Sequence, residues 1–394
     1  MRAIKDSVHD YIEVDGVAEA LLETPEVQRL RHVKQLSTVR LVYPSANHTR
    51  FEHSLGVSHL ASRALSHLDV SGARADAVRA AALLHDVGHG PYGHQTEGII
   101  QRRLGRHHDD VADLLAEGDV ARVLSDYGLD PSRVADRIAG DGKLGQLVAG
   151  ELDVDRMDYL VRDAHHTGVP YGTVDHGRLV RALSFHDDEL VLAEGNVATA
   201  ESLLVARALM NATVYRHHVS RIAGGMLERA SERLLDTTDL APETFARMTD
   251  DELLAALREY ERTEEFVRRL TERDLYKRAV WCERDAVPAD VVDASHDDVR
   301  EFERDIAADA DIPEKHVVLD TPGRPSMPES SARVVVNGDV KRLADHSPLV
   351  EGMQQSQEVQ WRFGVYAPEE EVEAVGRAAE RVLGLDGVGD AVDY

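Results

Sequence analysis

The sequence predicts a mainly α fold with a smaller α+β region toward its C-terminal end. Three observations point there. Apolar residues recur at helical spacing through roughly the first 235 positions. A very apolar segment at 75–87 stops against Gly88, Gly90, Pro91 and Gly93. Apolar runs of strand length appear only at 182–193 and after residue 315.

Taken in order, Val17, Leu21, Leu22, Val27, Leu30, Val33 and Leu36 mark a helical stretch over 17–36, with Thr24-Pro25 as a cap and first-turn pair. Helices are expected at 51–69 and 75–87, then at 94–104, 108–117, 131–148 and 151–163. A hairpin is expected at 182–193 around Asp187-Asp188. A long helix over 198–234 and two charged helices within 242–276 follow. His316–Leu319, Ala332–Val336 and Gln360–Val365 read as strands and 368–384 as a helix. The chain thus divides into a catalytic region, 1–235, and a helical and α+β region, 236–394, expected to serve interfaces or regulation.

The formal net charge is −27, from 72 acidic and 45 basic residues, and only six of the basic residues are lysine. Such a surface repels phosphate backbones, so no large nucleic-acid interface is expected. Acidity with scarce lysine fits a halophilic-type surface, where salt screens self-repulsion. No apolar run long enough for a membrane span occurs, and the first residues lack the apolar core of a secretory signal. With Cys282 as the sole cysteine, no intrachain disulfide forms, and a reducing cytoplasm is the expected location. Of 20 histidines, 17 lie between His9 and His218, which places the chemistry in the first 220 residues.

Three segments carry that chemistry: His48-Thr-Arg-Phe-Glu-His-Ser-Leu-Gly56, Leu84-His-Asp-Val-Gly-His-Gly-Pro-Tyr-Gly-His94, and Glu151-Leu-Asp-Val-Asp-Arg-Met-Asp-Tyr-Leu-Val-Arg-Asp163. Adjacent helical residues point about 100° apart, so His85 and Asp86 reach one ion only near a helix end, and Gly88 supplies one. An apolar helix ending in a carboxylate is costly unless the charge is paired. A lone histidine would be read as packed; His-Asp followed by Gly-His-Gly-Pro and a further histidine reads as a metal site. Two imidazoles and two carboxylates suit one octahedral divalent ion, manganese, iron or magnesium, with zinc or nickel as ions a crystal would capture.

At these segments the sequence resembles the HD-domain phosphohydrolases, and within them the deoxynucleoside triphosphate triphosphohydrolases of the sterile-alpha-motif-and-HD-domain type, without that motif. The resemblance runs from about residue 2 to 235 and is also dense in Gln28-Arg-Leu-Arg-His-Val-Lys-Gln-Leu36 and Tyr43-Pro-Ser-Ala-Asn47. It implies an HD-domain helical catalytic domain. It places metal ligands on His53, His85, Asp86 and Asp155, and histidines around the scissile phosphate on His89, His94 and His108, with His107 the neighbouring option. Glu97, one turn after His94, would orient an acid or base. Phosphate and sugar contacts are implied for Gln35, Leu36, Arg50, Arg156, Tyr159, Asp163, Arg207 and Tyr215, whose ring would disfavour a ribose hydroxyl. Asn211 departs from the histidine expected there.

The implied reaction is attack by water on the α-phosphorus of a deoxynucleoside triphosphate (dNTP), releasing deoxynucleoside and intact triphosphate. A guanine-nucleotide activator site is implied at Gln28 and Arg31, although Glu23 and Lys5 replace an aspartate and an asparagine. A homo-oligomer, dimer or tetramer, is also implied. Three other readings compete. One is an HD phosphohydrolase acting on a monophosphate, cyclic dinucleotide or guanosine tetraphosphate; another is a dNTP sensor without turnover; the third is a nuclease or nucleic-acid binder. Gln35, Arg207 and Tyr215 weigh against the first, the full ligand and histidine set against the second, and the net charge against the third. His165-His166 and His217-His218 are expected to pack or line a cleft, and Cys282 to pack.

Overall fold

The computed structural model describes residues 1–187, 189–324 and 327–385, except the side chains of 328 and 329. Asp188 of the expected hairpin turn lies outside the described residues. The chain forms two compact units that interleave along the sequence: Met1–Tyr215 with Leu240–Leu253 and Met327–Glu351, and Arg216–Asp239 with Leu254–Ser326 and Gly352–Tyr394.

The first unit opens with an antiparallel hairpin, β1 (Arg2–Asp6) and β2 (Asp10–Val14), that pairs Asp6 with Asp10 at its tip. No strand was expected there. The expected stretch over 17–36 is α1 (Gly16–Leu21), α2 (Pro25–Arg29) and a 3-10 turn (Leu30–His32). Pro25, at the start of α2, lacks the N–H that a continuous helix would need there. Next come α3 (Arg50–His67), α4 (Ala73–Leu84) and α5 (His94–Leu104), close to expectation. Thr49 fixes the start of α3, donating through its N–H and hydroxyl to Glu52 at 2.6 and 2.8 Å. Helix α4 buries Ala80, Ala81, Ala82, Leu83 and Leu84 completely and packs on α3.

Short helices α6 (Ala112–Ala116), α7 (Gly118–Asp126), α8 (Pro131–Ile138) and α9 (Gly142–Gly145) follow. The helix expected over 131–148 therefore ends at Ile138, because Gly140 and Gly142 adopt left-handed backbone. Next are α10 (Val154–Thr167), α11 (His176–Ala182), the hairpin β3 (Leu183–His186) and β4 (Glu189–Leu192), and α12 (Val197–Met210). The long helix expected over 198–234 is broken. A π turn at Asn211–Tyr215 intervenes before α13 (His218–Thr237). Late in the chain, β7 (Arg333–Val336) joins β4 in parallel, and β8 (Asp339–Arg342) closes a four-stranded sheet.

Where two charged helices were expected over 242–276, three form: α14 (Pro242–Arg247), α15 (Asp250–Glu259) and α16 (Glu261–Glu272). In the second unit, β5 (Lys277–Glu283), β9 (Arg362–Ala367) and β6 (Val318–Asp320) make an antiparallel sheet in the order β5-β9-β6. Helices α17 (Ala289–Val292), α18 (His296–Ala310) and α21 (Val372–Leu383) accompany it, with α18 and α21 packed on each other. Trp361, Phe363 and Val365 fill its core, and Cys282 lies in the same cluster. Buried Arg229 there makes a two-toothed pair with buried Glu303, its NH2 group 2.8 Å from the carboxylate. Helices α19 (Leu343–His346) and α20 (Pro348–Val359) complete the chain order. Among the described residues, no helix is long and apolar enough to cross a membrane.

Candidate metal centre

Three helices of the first unit meet at one point. Helix α3 presents Arg50 in its first turn and His53 one turn on; α4 ends at His85, with Asp86 following; α10 supplies Asp155 and Asp158 from its first turns. One ligand atom each of His53, His85 and Asp86 lies within 4.8 Å of the others. His53 Nε2 is 2.8 Å from Asp155 Oδ1 and 3.2 Å from His85 Nε2. The same Asp155 oxygen is 3.7 Å from His85 Nε2. Asp155 leaves a third of its side chain exposed and so sits at the mouth, while His53 and Asp86 are buried.

The residues fit a divalent cation. His85 Nδ1–H donates to the Ala82 carbonyl at 2.9 Å and His53 Nδ1–H to Asp158 Oδ2 at 2.8 Å. With Nδ1 so engaged, each histidine would offer Nε2 to an ion, the usual tautomer of a metal-binding imidazole. Among the described residues, Asp86 Oδ2 is buried without a hydrogen-bond partner, although Arg50 stands 2.9 Å away as an ion pair. The two observations agree when that contact is read as charge pairing without hydrogen-bond direction. Burial alone would strip His53 of a proton, yet Asp155, Asp158 and Asp86 outweigh it and push the imidazole up to about 10. Such a field favours a cation. Burial opposes ionisation of Asp86 too, but Arg50 and the histidines hold it well below the usual carboxylate range.

Behind this cluster lies a layer that the sequence reading missed. Fully buried Asp158 accepts from His53, from His9 Nε2 at 2.6 Å, and from Arg162 through Nε at 2.9 Å and NH2 at 3.0 Å. Arg162 also grips Asp6 at the hairpin tip, 2.8 Å away. Gly56 makes room for this hub, since a Cβ there would overlap Asp158 Oδ1 and the Arg162 guanidinium. The signal in the sequence was Asp158-x-x-x-Arg162, a helical pair that could equally have faced water.

Beside the cluster stands a histidine group. His89 and His108 stack at 4.0 Å, and His94 meets both edge-on at 4.6 and 5.0 Å. Glu97 accepts from His94 Nδ1 at 2.7 Å and from His108 Nδ1 and N–H. His107 is exposed and turns to Gln101 instead, so His108 is the one brought to His89. Burial and Arg50 hold His89 well below its ordinary value, in its neutral form. Among the described residues its two ring nitrogens have no hydrogen-bond partner, and its Nε2 lies 3.3 Å from Asp86 Oδ1 as an ion-pair contact. Burial would likewise discharge His108, but Glu97 raises it.

The expected substrate residues also take defined places. Arg207 Nε donates to the Tyr159 hydroxyl at 3.3 Å, and the Tyr159 ring lies 6.4 Å from that of His53. Tyr215 OH donates to Asp163 Oδ2 at 2.8 Å, and His48 Nε2 pairs with Asp163 Oδ1 at 2.7 Å. Burial, then Asp163, push the Tyr215 phenol well above its ordinary value, so it stays a donor. Gln35 buries an unpartnered Oε1, and Leu36 is half-buried. Arg156 turns back to Asp153 and the Gly150 carbonyl. Gln28 accepts from Arg31 at 2.8 Å, and the Arg31 guanidinium lies 3.5 Å over the Phe51 ring. His166 stacks on His48 at 4.4 Å and His217 on His218 at 4.5 Å, while His165 is exposed.

The chain is similar to known proteins over nearly its whole length. Residues 50–163 match the HD domain and residues 174–393 the HD associated region. An uncharacterised protein of Methanocaldococcus jannaschii is 32% identical over 94% of this chain and 80% of its own length. The deoxynucleoside triphosphate triphosphohydrolase SAMHD1 homolog of Dictyostelium discoideum is 29% identical over 70% of this chain, which spans 59% of that relative. The crystal structure of a phosphohydrolase from Bacteroides thetaiotaomicron superposes with a TM-score of 0.75 at 26% identity, covering 94% of this chain and all of that one.

Proposed function

We propose a reaction on one premise: the chain belongs to the HD-domain family of phosphohydrolases. The reaction is hydrolysis of a dNTP to deoxynucleoside and inorganic triphosphate. The observation that carries it is the pairing of the His-Asp cluster with Arg207–Tyr159 and Tyr215–Asp163 in one unit, groups suited to a polyphosphate and a sugar. The SAMHD1 relatives, named as deoxynucleoside triphosphate triphosphohydrolases, support the same substrate class.

His53, His85, Asp86 and Asp155 would hold one divalent cation, which lowers the pKa of water and polarises a phosphoryl oxygen when bound. Water adds to the α-phosphorus as the bond to the 5′ oxygen breaks. His94 gives its proton to that leaving oxygen, while the proton shed by the attacking water passes to solvent, from which His94 is recharged. Glu97 holds His94 through Nδ1, so Nε2 is the nitrogen that faces the substrate. Arg50, Arg207 and Arg156, the last after release from Asp153, neutralise the phosphates. His89 stays neutral and donates or accepts without adding charge. Gln35, Leu36, Tyr159, Asp163 and Tyr215 bound the sugar, with Tyr215 over its 2′ face. A guanine nucleotide at Gln28 and Arg31, assembly into a dimer or tetramer, and a cytoplasmic setting belong to the same reading.

The test is incubation with each dNTP and NTP, singly and in pairs, with manganese, iron or magnesium, and products read by mass spectrometry. Deoxynucleoside with intact triphosphate, abolished by His85→Ala or Asp86→Ala, is the expected result. Monophosphate or diphosphate products would overturn attack at the α-phosphorus. Bound metal without turnover of any triphosphate would shift the substrate to another phosphoester.

A further inference from the structure

A cavity of about 170 Å³ opens in the first unit where α4 begins and α8 lies against it. By the measure in which one water needs about 10–15 Å³, it holds on the order of ten waters. Three arginines line it: Arg74 in the first turn of α4, and Arg133 and Arg137 on α8. Among the described residues, Arg74 and Arg133 have no hydrogen-bond or ion-pair partner. Arg137 donates to the Asp141 carbonyl, which fixes its stem without neutralising its charge.

Arg74 and Arg133 are exposed, as are other arginines of the chain; what sets these two apart is that they converge with Arg137 on one cavity. One acid, Asp130, lines the cavity, and its Oδ1 is engaged by the N–H and hydroxyl of Ser132, at 3.0 and 2.9 Å. There it caps the start of α8, which offsets part of its charge. The formal sum of the lining is two positive charges, with Leu129 and Leu144 as apolar walls. Arginine forks in a concave site match phosphate oxygens in pairs. The cavity is separate from the metal centre, because Arg74 and His85 lie on opposite ends of α4, roughly 16 Å of helix apart.

We propose that this arginine-lined cavity binds a small phosphate-bearing anion carrying one or two phosphate groups. The proposal stands apart from the reaction above. The probe is inorganic pyrophosphate titrated calorimetrically into the full chain at fixed ionic strength without divalent metal, with adenosine diphosphate as a second arm. Arg74→Glu with Arg133→Glu is expected to remove one site per chain or weaken it at least tenfold. Arg122→Glu with Arg268→Glu, the same charge change at exposed arginines elsewhere, is expected to weaken binding less than twofold. Equal affinity of the two probes assigns recognition to phosphate alone; tighter adenosine diphosphate adds a nucleoside contact, and both support the site. Wild-type-like binding by Arg74→Glu/Arg133→Glu, equal loss in the control pair, or no binding by the wild type overturns it. The neutral Arg74→Gln/Arg133→Gln pair repeats the reading should charge reversal disturb folding.

Discussion

Replacing Asp158 by asparagine probes how far the metal centre depends on a residue that would not touch the metal. The side chain is fully buried and accepts four hydrogen bonds: one from His53, one from His9 and two from Arg162. Asparagine keeps one acceptor oxygen and turns an NH2 toward the donors that faced the other. Two of the four bonds are lost in either orientation of the amide, and His53 loses the carboxylate charge that helps fix its tautomer. Removing such an outer partner of a metal-bound histidine lowers affinity about 10–100-fold, or about 1.4–2.7 kcal/mol. Breaking a buried ion pair costs about 3–5 kcal/mol; because Arg162 keeps Asp6, the lower end is expected here. Equilibrium dialysis against manganese, with metal content measured at each step, reads the first quantity, and urea unfolding followed by circular dichroism reads the second. Wild-type affinity, within twofold, in a folded Asp158→Asn protein would refute the account of the hub.

Further outcomes follow from the same geometry. Gly56→Ala drives a Cβ into Asp158 and Arg162, so it should cost about 3 kcal/mol or more and abolish metal binding, whereas Gly177→Ala, with no atom nearer than 3.4 Å, should be near neutral in the same melts. Glu97→Gln keeps one acceptor oxygen and so releases one of His94 and His108 while removing the charge that holds both; kcat should fall roughly 100-fold with KM little changed, and an unchanged kcat would remove Glu97 from the mechanism. In the second unit, burial works to raise Glu265, but hydrogen bonds from Lys315 and Arg269 hold it down to about 2. A carboxyl held low in the folded state contributes stability that is present above its unfolded value and lost as pH falls through the folded one. That unit should therefore lose stability between about pH 4.5 and 2, and Glu265→Gln should flatten the loss, measured by acid unfolding.

The inner parts of the site were legible because their residue types are improbable where they stand. A His-Asp pair closing an apolar helix demands an explanation, and α4 ends at His85 as that reasoning requires. Helix α5 was legible to the residue, bounded by glycines at 93 and 105. What escaped was whatever depended on distant chain. Asp6 and His9 look like ordinary surface residues in an exposed short hairpin, and only the fold turns them inward toward Asp158. The break at 211–215 escaped too, because Asn-Ala-Thr-Val-Tyr carries neither proline nor glycine, so local propensity gave no reason to expect a π turn. The strand expected at 332–336, β7, was placed with the tail, yet it pairs with β4 through Leu192 and Val334, a long-range match that periodicity does not encode, and β8 beside it was not expected at all.

The Asp158 hub also sets an order of assembly. His9 meets a carboxylate 149 positions later, and Asp6 a guanidinium 156 positions later. On a growing chain these partners are separated by most of the first unit, so the outer layer closes only after α3, α4 and α10 exist to receive it. Contacts of such long span carry a large closure entropy and are among the slower ones to form. The proposed centre and its brace thus both wait for α10, which brings Asp155 and Asp158 to them together.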